Sequence, residues 1–454
     1  MSGGRVTAAA FDTATPVLVL KIGSYPLHHG GLGVIRSLGR VGVPVYGVCE
    51  DRFTPAAVSR YLRGRFIWAT SGDESCLLDD LEAIAGRIGR RAVLVPTDDE
   101  AAILVAEHAA TLREWFAFPE QPPALPRSLA SKRGLYQTCV RLGVPCPEAA
   151  FPTSEADVVD FCARAAFPIV LKGVEPWLLT RRTGQKSTSI VRGPDDLLAI
   201  WRRLEGRAGG HLMLQEYIPD GVGEDWIVHG YCDARSTCLA AFTGVKLRSY
   251  PPHAGLTTLG RTAANPVLLE QAEALFERLS YRGIMDMDWR LDRRDGRYKL
   301  LDFNPRLGAQ FRLFEDDHGI DVVRALHLDL TGRRLPQGRL VQRRGFVVEH
   351  LDTLAALGYR LDGGLTVRGW IRSLRGVQER AWFALDDLVP FAVLCGRFLL
   401  RGAARALKVE RPAGVRRARA PRFLAGRARL SVVPGRLGGF PSRRTSDDQR
   451  TGPE

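Results

Sequence analysis

The chain has 454 residues, of which 45% are hydrophobic, and a formal net charge of +14. This length exceeds the size at which one hydrophobic core usually stops growing, so two or three domains are expected. The most apolar late stretch, residues 382–400, is interrupted by charged residues and a proline, which argues against a transmembrane span. The eight cysteines form no CxxC pair, which predicts reduced thiols in a cytoplasmic protein and makes a zinc site improbable.

The first 125 residues alternate strand and helix patterns. Strands are predicted at 16–22, 43–48, 65–69 and 92–96, with a helix at about 32–40. Thr97-Asp-Asp-Glu100 predicts the start of another helix, because acidic side chains favour a helix N-terminus. Strands separated by helices predict a parallel α/β sheet. Glycines at positions 30, 31 and 33 could hold a dinucleotide, but their spacing is not GxGxxG and a tight turn accounts for them better.

The proline-rich residues 121–126 predict a linker after this first domain, which we place at 1–125. A second α/β unit is predicted over 126–332, followed by a C-terminal extension over 333–396. The extension contains one strand pattern near 346–349 and one helix pattern near 385–405. We find no internal repeat.

The positive charge of the chain lies mostly in its last residues. Residues 397–454 contain 15 Lys and Arg against 4 Asp and Glu, a net of +11, which leaves +3 for the first 396 residues. This segment is rich in Arg, Pro and Gly, so most of it is predicted to be disordered or loosely docked. Two interpretations stay open: a patch for an anionic surface, either membrane or nucleic acid, or an extension that only improves solubility.

Two neighbouring strand patterns lie near the end of the second unit. Residues 283–292 and 298–306 are joined by a short turn at 293–296, which predicts an antiparallel hairpin. Alternate side chains of a strand share a face. The side chains expected on one face of the hairpin are Asp286, Asp288, Asp302, Asn304 and Arg306.

Several carboxylates on one face are unfavourable unless cations or phosphates join them. Oxygen ligands of this kind suit magnesium that carries nucleotide phosphates, and the planar guanidinium of Arg306 suits a phosphate. The alternative is that these residues form the solvent-facing polar side of an edge hairpin. The Asn-Pro-Arg run that ends the second strand favours the metal and phosphate interpretation.

The run Asp302-Phe-Asn-Pro-Arg306 resembles the Glu-x-Asn-x-Arg signature of the ATP-grasp superfamily, with aspartate in place of the more usual glutamate. That superfamily includes D-alanine–D-alanine ligase, biotin carboxylase and the carbamoyl phosphate synthetase large chain. The resemblance implies that Asp288, Asp302 and Asn304 bind two magnesium (or manganese) ions. Asp286 stands where some ligases carry Arg or Asn, and whether it joins the metal site stays open. The implied fold is α/β of the α+β ATP-grasp type, with a parallel-sheet pre-ATP-grasp domain and a two-lobed ATP-grasp domain.

Motifs upstream fit the same superfamily in order. Lys132 resembles the first nucleotide-contacting lysine, which precedes a helix and a Gly-Val-Pro turn. Lys172 ends a strand pattern and resembles the lysine that holds the α- and β-phosphates, although a lysine at a strand end can also simply be exposed. The resemblance assigns the adenine hinge to Gln215, Glu216, Tyr217 and Ile218. Glu224 matches the acid that accepts the ribose hydroxyls.

Two loops complete the resemblance. Residues 180–189, around Gly184, resemble the mobile loop that closes over the triphosphate, although the tip of a surface hairpin would look similar. In the long segment 244–260, Lys246 and Arg248 are expected to share a strand face and to contact the γ-phosphate or the substrate carboxylate. His253, in the same segment, is either a substrate contact or an ordinary loop residue.

The resemblance implies an ATP-dependent ligase that activates a carboxylate as an acyl phosphate and couples it to an amine, with release of ADP and phosphate. Arg306, Arg248 and Lys246 are the candidate catalytic residues, and Tyr25, His28 and Arg36 are candidates for the acceptor site. The competing hypothesis is a non-catalytic ATP-binding protein that attaches to membrane or nucleic acid through its basic tail. The carboxylate and amine substrates, and the existence of a homodimer, stay open.

Overall fold

The computed structural model describes residues 8–68, 74–176, 188–204, 211–219, 221, 224–253, 255–409 and 432–434. The N-terminal domain is built on a parallel sheet. Its strands are β1 (Val17–Leu20), β2 (Val45–Cys49), β3 (Leu62–Ile67), β4 (Ala92–Pro96) and β5 (Phe116–Ala117). They pair in the order β3–β2–β1–β4–β5, and every pair is parallel. Every residue of β1 is buried, as expected for a strand covered on both faces.

Helices connect these strands, and two of them, α1 and α3, begin at a side-chain cap. They are α1 (His29–Gly39), α2 (Glu74–Ile88), α3 (Asp99–Glu107) and α4 (Ala109–Leu112), with 3-10 turns at Ala8–Ala10 and Pro55–Val58. The Asp98 side chain accepts a hydrogen bond from the Ala101 amide at 3.0 Å and so caps α3. The predicted helix after Thr97 is therefore present, and so is the predicted parallel α/β sheet.

The glycines at the start of α1 allow close packing against a later segment. A Cβ on Gly30 would lie 2.9 Å from the Cα of Ala309, and one on Gly33 would lie 2.8 Å from the ring of Phe311. A side chain at either position would therefore push α1 away from residues 308–312. This close approach explains the glycine cluster without a dinucleotide.

The second unit contains two antiparallel sheets. The smaller has the order β6–β9–β7–β8. Its strands are β6 (Ala149–Ala150), β7 (Ile169–Gly173), β8 (Thr188–Val191) and β9 (Leu212–Glu216). The larger has the order β14–β13–β10–β11–β12–β15–β16, antiparallel except for the last pair. Its strands are β10 (Asp225–Cys232), β11 (Cys238–Tyr250), β12 (Leu256–Thr262), β13 (Gly283–Asp292), β14 (Arg297–Asn304), β15 (Gly345–Val347) and β16 (Val377–Arg380).

Helices cover these sheets and continue into the C-terminal region. They are α5 (Ala124–Ala130), α6 (Lys132–Leu142), α7 (Glu155–Arg164), α8 (Pro194–Leu204), α9 (Pro266–Leu279), α10 (Val322–Leu330), α11 (Glu349–Leu361), α12 (Val367–Leu374) and α13 (Val389–Val409), with a 3-10 turn at Phe311–Leu313. In the parts of the chain described above, no helix has the length and apolar character to cross a lipid bilayer.

The C-terminal extension is continuous with the rest of the molecule. It adds β15 and β16 to the edge of the larger sheet. One hydrophobic core joins Val19 of the N-terminal domain, Phe346 of β15 and Leu394 of α13. A helix was predicted near 385–405, with most of the tail disordered or loosely docked; in the structure α13 runs from Val389 to Val409, and β17 (Val432–Pro434) pairs with β3. The remaining residues of the tail lie outside the described ranges.

Candidate active site

The hairpin of β13 and β14 brings the predicted metal and phosphate residues together. Asp286 lies opposite Asn304, and Asp288 lies opposite Asp302. The register shifts after Asp288, at a β-bulge. The predicted turn is present, and its last residue, Gly296, has φ +70°, a conformation that favours glycine.

A lysine from outside the hairpin compensates each of two carboxylates. The Nζ atom of Lys246, on β11, lies 3.0 Å from Oδ1 of Asp288. Lys132, at the start of α6, contacts Asp302. Burial and the neighbouring charges of Asp286 and Asp302 raise the pKa of Asp288, although the charge of Lys246 opposes them. Burial would also raise the pKa of Asp302, but the charges of Lys132 and Lys172 lower it below its usual value.

Lys172 reaches the same face from the smaller sheet. It lies near the end of β7, and its Nζ atom donates to the carbonyl oxygen of Leu301 at 3.4 Å. Burial lowers the pKa of Lys172 to about 8. A lysine in this environment gains a stable positive charge when anionic groups enter the site.

Arg306 connects the hairpin to the N-terminal domain. Its guanidinium donates to Oδ1 of Asp99 at 3.1 Å, to Oδ1 of Asn304 at 3.0 Å and to Oδ2 of Asp286 at 3.4 Å. Asp99 is the first residue of α3, so the pair holds the beginning of that helix against the end of β14. Arg306 is thus fixed in direction by partners from two domains.

Asp286 is the buried centre of a second group of contacts. Its Oδ1 atom lies 2.8 Å from Nε2 of His229 and 3.3 Å from Nε2 of Gln310. Although burial opposes ionisation, the charges of His229 and Arg306 lower the pKa of Asp286. Asp286 therefore acts as an anchor for Arg306 and Asn304.

His229, Gln310 and Asp99 were not among the site residues predicted from the sequence. His229 lies on β10 directly opposite Asp286 on β13, and these strands are separated by the whole of β11 and β12 along the chain. Strand pairing across that separation leaves no local spacing signal. The signal for Asp99 was its position in the acidic start of α3, which was interpreted as a helix cap alone.

A small open cleft adjoins Lys132. Its lining includes Lys132, Tyr136, Met213, Gln215 and Leu300. The first two lie on α6, the next two on β9 and the last on β14, so the cleft lies between the smaller sheet and the hairpin.

The predicted hinge begins in the last two residues of β9, Gln215 and Glu216, and continues through Tyr217 and Ile218. Glu216 forms an ion pair with Arg294 at 2.5 Å, and the carbonyl oxygen of Ile218 accepts from Arg290 at 2.8 Å. Tyr217 is half-buried between them. Glu224 is buried at the start of β10 and contacts Arg293. These arginines come from β13 and the turn after it, so the hairpin and the hinge are held together.

The structure places two of the predicted site residues, Arg248 and Arg36, in ion pairs outside the hairpin. A register shift lies between Lys246 and Arg248, so these two do not share a strand face as predicted. Arg248 forms a buried bidentate ion pair with Asp352 of α11, at 2.9 and 2.8 Å. Arg36 is likewise buried against Asp387, at 3.0 Å. Gly184 and most of the predicted 180–189 loop lie outside the described residues.

The donor set fits a magnesium ion whose coordination is completed by other oxygens. Among the described residues, no group of three or more His, Cys, Asp and Glu side chains is arranged to hold a metal. Asp288 and Asp302 provide carboxylate oxygens, and Asn304 provides an amide oxygen. Oδ1 of Asp288 is buried and accepts no well-aligned hydrogen bond from the described residues, although Lys246 lies 3.0 Å away. Phosphate and water oxygens are the usual remaining ligands of magnesium.

The sequence and the structure of the chain are each similar to known proteins. No protein-family model matches the sequence. A segment of 243 residues is 24% identical to a D-aspartate ligase of Enterococcus faecium. The match covers 52% of this chain and 58% of that ligase, so the chain spans little more than half the length of this curated relative.

Two solved structures resemble most of the chain. The L-amino acid ligase of Bacillus licheniformis has a TM-score of 0.53 and 14% identity over 70% of this chain and 74% of that one. The biotin carboxylase domain of the Hydrogenobacter thermophilus 2-oxoglutarate carboxylase, solved with MgADP and bicarbonate, has a TM-score of 0.52 and 14% identity over 72% and 71%. With its parallel N-terminal sheet, its two antiparallel sheets and its polar hairpin, the chain has the ATP-grasp fold.

Proposed function

We propose that this protein is an ADP-forming ligase that activates a carboxylate with ATP and joins it to an amine. The arrangement that carries this proposal is the polar hairpin, in which Asp288 and Asp302 are compensated by Lys246 and Lys132 and flanked by Arg306. The similar proteins named as a D-aspartate ligase and an L-amino acid ligase support an amino acid as one substrate.

We assign the nucleotide to the cleft between β9 and the hairpin. Its adenine would lie beside Gln215 and the hinge up to Ile218, and its ribose beside Glu224. Asp288, Asp302 and Asn304 would hold two magnesium ions, and MgADP in the biotin carboxylase domain of similar fold supports this use of the site. When bound, magnesium neutralises phosphate charge and orients the γ-phosphate for transfer.

The basic residues of the chain counter the repulsion between a carboxylate and a triphosphate. Lys172, Lys132 and Lys246 supply positive charge along the path of the phosphates. A carboxylate oxygen attacks the γ-phosphorus, the bond to the bridging oxygen breaks, and ADP leaves with that electron pair. The amine nitrogen then attacks the acyl carbon and loses a proton, and phosphate leaves with the oxygen that joined it to carbon.

We place the carboxylate and the amine beside Arg306, at the boundary with the N-terminal domain. Tyr25 and His28 lie in the segment between β1 and α1, and their ring centroids are 5.2 Å apart. The positive charge of Arg306 is close enough to lower the pKa of both side chains, although burial has the larger effect on each. Arg306 is suited to stabilise a developing negative charge because Asp99 and Asn304 already fix its direction.

The test is a product assay. The purified protein is incubated with Mg-ATP and a pool of amino acids and small carboxylic acids that includes D-aspartate, and nucleotides are separated. We expect ADP and phosphate that require the pool. Asp302→Asn removes a proposed metal ligand and is expected to lower turnover about a hundredfold or more, whereas Asp295→Asn, in the turn of the same hairpin, leaves it unchanged.

Formation of AMP and pyrophosphate would contradict the proposal, because it would mean adenylation. Equal turnover in Asp302→Asn and the unmodified protein would contradict the metal assignment. A non-catalytic ATP-binding protein is the weaker candidate, because such a protein has no need for two mutually repelling carboxylates, the buried Asp286 and the half-buried Asp288.

A further inference from the structure

The exposed apolar side chains of the protein are concentrated in its C-terminal region. Of 18 large hydrophobic side chains that are exposed among the described residues, 11 lie between positions 354 and 400. Single exposed apolar residues are ordinary, but such a concentration indicates an interaction surface. The active site described above uses none of these 11 residues.

Two neighbouring helices carry the first part of this concentration. Leu354, Leu357 and Leu361 follow one another at helical spacing along α11, and Leu361 is 79% exposed. Val367 and Ile371 continue the apolar side chains on α12, a helix in which no residue is buried. We call the set formed by these five residues the α11–α12 surface.

The two helices are held rigidly to the body of the protein. Trp370 of α12 donates to Asp352 of α11 at 2.9 Å, and Asp352 in turn pairs with Arg248 on β11. These contacts attach both helices that carry the α11–α12 surface to β11.

Positive charge surrounds the apolar side chains. Arg360, Arg368, Arg372 and Arg375 are all exposed, whereas Asp362 is the one acidic residue between positions 353 and 378. The chain continues into residues 388–409, with four Lys and Arg and no Asp or Glu, and its last 58 residues carry a net charge of +11. The ring of Phe398, on α13, lies 5.2 Å from that of His350 on α11, so the two regions adjoin.

We propose that the α11–α12 surface, together with the exposed arginines on the same two helices and after α12, docks this protein on an anionic lipid bilayer. Leucine, valine and isoleucine side chains insert at the boundary between headgroups and acyl chains, while arginines contact acidic headgroups. A nucleic acid would use the arginines through its phosphates but would leave the apolar side chains in water. This docking goes beyond the ligase activity proposed above and does not depend on it.

The experiment measures flotation of the full chain with vesicles of phosphatidylcholine alone and of phosphatidylcholine mixed with phosphatidylglycerol. The test variant is Leu357→Ser/Leu361→Ser/Ile371→Ser. The matched control is Val140→Ser/Val159→Ser/Val267→Ser, which removes equally exposed apolar side chains from other helices. We expect binding to the mixed vesicles that weakens with salt and falls about tenfold or more in the test variant, because apolar burial contributes to interfacial binding, but not in the control.

Thermal melting of both variants confirms that each is folded before binding is compared. The proposal is overturned if the unmodified protein does not bind the mixed vesicles, or if the test variant binds them as well as the control does. Binding to duplex DNA with unchanged vesicle binding in the test variant would assign the basic tail to polyanions in general. A dimer of the unmodified protein that becomes monomeric in the test variant, without vesicle binding, would assign the surface to a second copy of the chain.

Discussion

At the scale of single residues, the site is a balance between buried carboxylates and the cations that face them. Asp288 and Asp302 each contact a lysine, and Asp286 contacts His229 and Arg306. Such a group of charges is stable only while every member keeps its partner. The consequences of removing or titrating one member follow from these contacts.

Lys172 gives the free enzyme a predicted dependence on pH. Its pKa is lowered to about 8, so its positive charge is present below that pH and is lost as the pH rises through it. We expect kcat/KM for ATP to fall above about pH 8, because this parameter reports the protonation of the free enzyme. In Lys172→Arg, which stays charged, the fall should move to higher pH.

A profile of kcat/KM that is identical in Lys172→Arg and the unmodified protein would contradict this role. The matched control is Lys299→Arg, since Lys299 lies on β14, pairs with Asp292 and lies 3.9 Å from Glu216 of the hinge. Although burial opposes them, these acids raise the pKa of Lys299, so its charge persists over the pH range in which Lys172 titrates. The profile of Lys299→Arg should stay that of the unmodified protein.

Substitution of His229 tests whether Asp286 holds Arg306 in place, because Asp286 contacts both residues. His229→Phe removes the partner that lies 2.8 Å from Asp286, inside a fully buried environment. We expect the free energy of unfolding in urea to fall by about 1–3 kcal/mol, because the buried carboxylate of Asp286 loses a close polar partner. Turnover should fall more than affinity for ATP does, since Arg306 is displaced and the lysines are not. Unchanged stability and turnover would show that Asp286 does not depend on His229.

At the scale of elements, the sequence predicted local structure well wherever the signal was local. The β13–β14 hairpin, the turn before Gly296 and the helix after Thr97 all follow from residues that are close in sequence. The failures arose at irregularities. The register shift between Lys246 and Arg248 breaks the alternation on which their shared face was predicted, and a bulge of this kind has no signal in side-chain pattern alone.

The ion pair between Arg248 and Asp352 is therefore predicted to stabilise the fold. Arg248→Met leaves the buried Asp352 without its bidentate partner. We expect a loss of about 3–5 kcal/mol in the free energy of unfolding. In the exposed pair of Arg202 with Glu155, Arg202→Met should change the free energy of unfolding far less, because solvent screens that pair. A small effect of Arg248→Met on stability, combined with a large rise in KM for a substrate, would contradict this structural role and support the predicted role of Arg248 in substrate binding.

At the scale of the whole molecule, the C-terminal extension completes the fold that the first 332 residues begin. Asp387 receives hydrogen bonds from Arg36 of α1 at 3.0 Å, from the Ser59 hydroxyl at 2.7 Å and from the Arg60 amide at 2.9 Å. The pairing of residues more than three hundred positions apart could not be predicted from the sequence, because nothing local selects one buried partner among many.

Neighbouring aspartates provide a matched test of that connection. Asp387→Ala removes a buried acceptor from all three donors, whereas Asp386→Ala removes an exposed partner of Arg40. We expect Asp387→Ala to lose about 3–5 kcal/mol of stability and Asp386→Ala to lose about 0–1 kcal/mol, both measured by urea denaturation. Equal effects would mean that the extension is not held to the N-terminal domain through Asp387.

The central claim is that a carboxylate oxygen of the substrate attacks the γ-phosphorus of ATP. Its most direct test uses a pool of acids whose carboxylates carry oxygen-18, with mass spectrometry of the phosphate released during turnover. Transfer through an acyl phosphate predicts one labelled oxygen in that phosphate, because the oxygen between carbon and phosphorus leaves with phosphorus. Phosphate without the label, released in amounts equal to ADP, would mean that water attacks ATP directly and would contradict the account.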